Sequence, residues 1–141
     1  MTASPARGRC VPGGELDLAL DRETAARLVA RLRAGTGRLP LEAGADPAPY
    51  QRFFREVTVA VAPGRKVALR MVDAGDTLAI TGDPVYLGVL AENVEGLADS
   101  GDVDTHVHVD YFPDHFYLEE GSAPATLHLV PESTESTEST A

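Results

Sequence analysis

Residues 78–97 read LAITGDPVYLGVLAENVEGL, and this stretch decides the fold. Leu78 and Ile80 alternate with Ala79 and Thr81, which is the period of a half-buried strand. Asp83 stands where a helix needs an N-cap. Pro84 fills the first helical position, where its missing N–H costs no hydrogen bond. Leu87, Leu90, Ala91, Val94 and Leu97 then recur at helical spacing and make one apolar stripe. A strand passed straight into a capped helix, each with one apolar face, predicts a layered α+β protein.

The same order occurs 62 positions earlier. Leu16, Leu18 and Leu20 alternate, Asp21 can cap, Glu23 sits near the positive end of the helix dipole, and Ala25, Leu28, Val29 and Leu32 form the stripe. The shift maps Leu16 to Leu78, Leu18 to Ile80, Asp21 to Asp83, Ala25 to Leu87, Leu28 to Leu90 and Leu32 to Val94. Any two capped strand–helix units look alike at this resolution, so we read the echo as convergence. Gly35 and Gly37 stop the first helix, and residues 36–50 read as a Gly/Pro-rich connection. Further strands are predicted at Val57–Val61, at Val67–Met71 beyond a Pro63-Gly64 turn, and over residues 105–111 and 125–130. The expected architecture is a mainly antiparallel sheet of about six strands, with helices near 22–34 and 84–98 packed on one face.

At 141 residues the chain is expected to form one domain over 15–131, between a disordered leader (1–14) and a disordered tail (132–141). The leader is rich in Gly, Pro and Arg, and the tail repeats Glu-Ser-Thr three times. With no Trp, the core must rest on Val, Leu and Ala. The single Cys10 excludes an intramolecular disulfide and reads as an incidental surface thiol. Neither an apolar signal region nor a run of roughly twenty apolar residues is present, so the expected location is the cytoplasm.

Charge is divided sharply along the chain. All 12 Lys and Arg lie at or before Arg70, against seven Asp and Glu, whereas residues 71–141 hold fifteen Asp and Glu and no Lys or Arg. Such a field repels nucleic acid and anionic membrane and attracts basic surfaces. It suits a protein that binds a basic partner, but charge alone is better explained by a soluble acidic protein with no such partner. Carboxylates and aromatics concentrate between Asp104 and Glu120. Asp104, Asp110, Asp114, Glu119 and Glu120 could steer a basic partner, and Tyr111, Phe112, Phe116 and Tyr117 could anchor it. The competing reading is that the aromatics cover the open end of the core.

His106, His108 and Asp110 fall on one face of the strand HVHVD, with Val107 and Val109 on the other. Two imidazoles and a carboxylate could ligate zinc or iron. A second ligand cluster is missing from the pattern, and Tyr111 stands where the lactamase-type metallohydrolase signature has a further His. We therefore read plain strand alternation, with no metal and no cofactor. No serine occupies a Gly-x-Ser-x-Gly elbow, and Gly35-Thr36-Gly37 follows a helix rather than a strand, so neither a nucleophile nor a phosphate cradle is assigned.

From about Leu78 to Val130 the chain resembles a small bacterial immunity protein family of polymorphic toxin systems, immunity family thirty-two. Four features carry the resemblance in order: the strand ending Ile80-Thr81-Gly82-Asp83, the helix with Leu87, Leu90-Ala91 and Leu97, the strand His106-Val107-His108-Val109-Asp110, and Gly121-Ser122 leading into Leu127-His128-Leu129-Val130. The N-terminal strand–helix unit and the tail lie outside it. The resemblance implies a non-enzymatic cytoplasmic protein that neutralises a cognate toxin by binding it. The family's paired histidines map to His106 and His108, and no catalytic role comes with them. The alternatives are a regulatory or structural interaction module without a toxin partner, and a metal-dependent enzyme built on the histidine strand.

Overall fold

Two aspartates start the two helices. Asp21 caps Arg22–Ala34 (α1), its side chain accepting from the Thr24 N–H, and Gly35 ends the helix at φ 75, donating back to the Arg31 and Leu32 carbonyls. Asp83 precedes Pro84–Asp99 (α2), where one carboxylate oxygen accepts from the Val85 N–H and the other from the Gly64 N–H of the preceding turn. The predicted helices and both caps therefore stand. The structure, a computed structural model, describes residues 6–10, 15–41, 52–72, 76–99 and 106–130. The tail expected at 132–141 lies outside the described residues.

The strands are Arg7–Cys10 (β1), Leu16–Leu20 (β2), Thr36–Pro40 (β3), Arg52–Phe54 (β4), Glu56–Val61 (β5), Ala68–Val72 (β6), Thr77–Gly82 (β7), His106–Val109 (β8) and Ala125–Leu129 (β9). The α+β class holds, and antiparallel pairs outnumber parallel ones five to two. The expectation of a single sheet of about six strands is corrected. Among the described residues there are two mixed sheets, ordered β4-β1-β2-β9-β8 and β3-β5-β7-β6. Alternation tells which face of a strand is apolar but not which strand lies beside it, and that choice divides the strands here.

Three strands had no alternating signal. β3 contributes only Leu39 to the core and runs along a sheet edge, where Pro40 needs no ladder partner on its open side. β4 is three residues long. β1 lies within the supposed leader, which corrects the 1–14 boundary. Cys10, read as a surface thiol, is 1 % exposed. β1 earns its order by pairing with β2 on one side and β4 on the other.

The two helices pack on each other, and each touches strands of both sheets. Their stripes join the inward residues of both sheets in one core. Leu18, Leu28, Ile80, Leu90, Val109 and Leu127 are among the residues around a small apolar void of about 20 Å³, so both sheets and both helices meet at its centre. No helix of the described residues is long and apolar enough to cross a membrane.

Leu90, 3 % exposed, should be costly to truncate. Leu90→Ala is expected to lower the free energy of unfolding by about 2–5 kcal/mol, toward the upper part of that range because the new cavity merges with an existing void. Urea denaturation with an unchanged slope checks this; a loss below about 1 kcal/mol would take Leu90 out of the core.

Candidate functional site

The connection from β8 to β9, residues 110–124, is built by a turn and a buried imidazole. Pro113 and Asp114 form the corner of a turn closed by the His115 N–H donating to the Phe112 carbonyl, and Asp114 sits at φ 68. Asp tolerates that left-handed conformation better than most residues. His115 then turns inward. Its Nδ1 accepts from the N–H groups of Tyr117 and Leu118 at 3.2 and 3.1 Å, and its backbone carbonyl accepts from Lys66 Nζ at 2.6 Å. The ring lies against Phe112, Phe116 and Tyr117, with centroids 4.6, 6.0 and 4.7 Å away.

The segment is then fastened along β6. Val67 N–H donates to the Tyr117 carbonyl, Glu119 N–H to the Val67 carbonyl, and Ala123 N–H to the Leu69 carbonyl, while Ser122 Oγ accepts from the Leu69 N–H. These bonds give partners to the outward backbone groups of Val67 and Leu69 at the start of the β6 edge. They also fix which aromatics face outward. Phe112 and Phe116 are 58 and 64 % exposed, whereas Tyr117 is buried with its hydroxyl accepting from Asn93. Tyr117 therefore supports the loop from below, a correction to its reading as a partner anchor, and Tyr111 is half-buried against the core.

The carboxylates divide in the same way. Asp110, Asp114 and Glu120 are exposed. Glu119 is compensated, contrary to expectation, by Arg65 at 2.8 Å and Arg70 at 3.3 Å, which the fold brings from the preceding half of the chain. Asp104 lies outside the described residues. The loop thus carries two exposed apolar rings and three exposed acids, on a base held by Lys66, Arg65 and Arg70.

His106 and His108 stack edge to face at 5.1 Å, His108 Nδ1 lies 3.2 Å from Thr126 Oγ1, and Asp110 follows the last residue of β8. Among the described residues no group of three or more His, Cys, Asp and Glu side chains is gathered so as to hold a metal ion. The same sheet face carries a cluster that sequence reading missed. Asp17, 5 % exposed, accepts from Arg9 at 2.7 Å and lies 3.1 Å from His128 Nε2. Burial pushes the Asp17 carboxyl up, but the hydrogen bonds and charges of His128 and Arg9 outweigh it and hold the pKa below the ordinary value. The one available signal was an acid between the leucines of LDLAL. Its partners, one in the supposed leader and one 111 residues away, could not be read from spacing.

Fold and loop together describe an α+β protein with an ordered loop that exposes two aromatic rings. Against known families, residues 77–130 match the model of Immunity protein 32, a range that runs from β7 through α2, β8 and the aromatic loop to the end of β9. The resemblance seen in the sequence is thus shown for the C-terminal portion of the chain. No curated protein and no solved structure matches the chain.

Two acid transitions are expected. Burial, and then the nearby Lys66 charge, hold the His115 pKa below its ordinary 6.5. His115 therefore contributes stability that is full above that value and lost as pH falls through its lower folded pKa, because a protonated Nδ1 cannot accept from Tyr117 and Leu118. Asp17, with its pKa also depressed, contributes stability that is full above 3.8 and lost only at still lower pH. In an NMR titration the Tyr117 and Leu118 amides should move with His115 before sheet resonances move with Asp17. If His115 titrates at or above 6.5, its proposed hold on the loop is wrong.

Proposed function

We propose that the chain is a non-enzymatic immunity-type protein that neutralises a cognate toxin by binding it, and that it meets a basic surface of that toxin with the loop at 110–124. The observation that carries this reading is the pair Phe112 and Phe116, more than half exposed on a loop pinned from beneath, within the region that matches Immunity protein 32. Exposed rings usually cost solubility. Held in place, they offer apolar area to a partner with little conformational entropy left to lose. Asp110, Asp114 and Glu120, exposed on the same loop, speed encounter with a basic surface and discourage an acidic one. The reading places this neutralisation in the cytoplasm; among the described residues no helix is long and apolar enough to cross a membrane.

The test begins with capture of the partner from the native cells, expression of that partner alone, and rescue of the resulting growth arrest by this chain. Phe116→Ala should weaken the complex by about 2 kcal/mol, mostly through faster dissociation. The combination Asp110→Lys, Asp114→Asn and Glu120→Lys should slow association and flatten its salt dependence; Asn is chosen at 114 because the backbone there has φ 68. A partner that arrests growth, is neutralised by the chain, and is indifferent to all four changes would place the contact elsewhere. A partner without toxicity would favour an interaction module instead.

A further inference from the structure

The 62-residue echo does not stop at two strand–helix units. Each half of the chain has the same succession: a strand, a second strand antiparallel to it, a helix, and two more strands antiparallel to each other. In the first half these are β1, β2, α1, β3 and β5, and in the second β6, β7, α2, β8 and β9. The connection between the last two runs over residues 41–55 in one half and 110–124 in the other, fifteen residues each time. In both halves that connection returns to cover the outer edge of the half's own first strand, through β4 on β1 and through Leu118 beside Val67 at the start of β6. The cover is antiparallel in the first half and a parallel bridge in the second.

Pairing between the halves is reciprocal. β2 lies parallel to β9, and β7 lies parallel to β5. Leu18 faces Leu127 in one ladder, and its equivalent Ile80 faces Val59 in the other. Beyond the strands, Val130 N–H donates to the Leu20 carbonyl, and Ala62 N–H donates to the carbonyl of Gly82, the residue equivalent to Leu20. Reciprocity of this kind is the mark of a two-fold axis. The ion pair between the helices fits it as well. Arg33 meets Glu95, its own equivalent 62 positions on, and the two side chains are 46 and 47 % exposed. A residue can meet its own equivalent only near the axis.

We propose that the chain is a fused pair of one strand-strand-helix-strand-strand unit, joined at the Pro63-Gly64 turn, and that the partner each unit is built to take is another such unit. Each gives its last hairpin to the other's sheet. The region that matches the immunity family lies within the second unit, and the first is a diverged companion outside the match. The charge division along the sequence is then divergence between companions. Residues 7–61 hold nine basic and seven acidic residues, and residues 68–129 hold one basic and twelve acidic. The inference stands whether or not the protein binds a toxin.

A protease recognition sequence placed between Pro63 and Gly64, both exposed, cuts the full chain between the units. After cutting, the two halves should elute together at the mass of the intact chain at micromolar concentration, keep its far-UV spectrum, and acquire an unfolding midpoint that rises with concentration. Halves that separate, or one half that stays folded alone, would overturn the proposal. Should the insertion prevent folding, hydrogen exchange on the unaltered chain decides. Amides of Leu18, Leu127, Val59 and Ile80 should share one opening free energy. Two distinct values, one for residues 7–61 and one for 68–129, would refute it.

Discussion

The structure depends on two parallel ladders, β2 with β9 and β5 with β7. Buried backbone N–H and C=O groups must find partners, and in each ladder the two strands come from opposite halves of the chain. Neither half can satisfy its central strand alone. Once the ladders close, the apolar faces of both sheets are turned inward, and the stripes of α1 and α2 can complete one core. The caps at Asp21 and Asp83 set where each helix begins, so each stripe arrives in phase with the strand before it.

The candidate site inherits its order from that frame. The loop leaves β8 and re-enters at β9 in one sheet, but it is stitched to β6 in the other. Its two anchor points therefore belong to different sheets, and any change in their relative position would strain it. His115 translates this frame into side-chain order, accepting from two backbone N–H groups and turning Phe112 and Phe116 outward while Tyr117 is buried. An imidazole that is neutral and buried is also the natural point at which acid would loosen the loop.

Charge shows how far a linear reading can go. In sequence no Lys or Arg follows Arg70, so every later carboxylate looks uncompensated. In space Arg33 reaches Glu95, and Arg65 and Arg70 both reach Glu119. Asp110, Asp114 and Glu120 keep their exposure. Ion pairing thus takes Glu95 and Glu119 out of the acids that composition leaves open, and the exposed Asp110, Asp114 and Glu120 share their loop with the two exposed rings.

The sequence by itself determined both helices, their caps, and six strands, because each is written in a local period or a terminal residue: Leu87, Leu90, Val94 and Leu97 on one helix, Leu16, Leu18 and Leu20 on one strand. It also determined that aromatic and acidic residues gather between β8 and β9. It could not supply β1, β3 and β4, whose order comes from hydrogen bonds to neighbours rather than from apolar alternation. Nor could it foretell that Cys10 and Asp17 are buried, that Tyr117 points inward, or that the strands divide into two sheets exchanged between halves. Periodicity names a buried face, whereas backbone hydrogen-bonding groups are the same at every residue. Which strand lies beside which, and so which charges meet, was decided only when the whole chain closed.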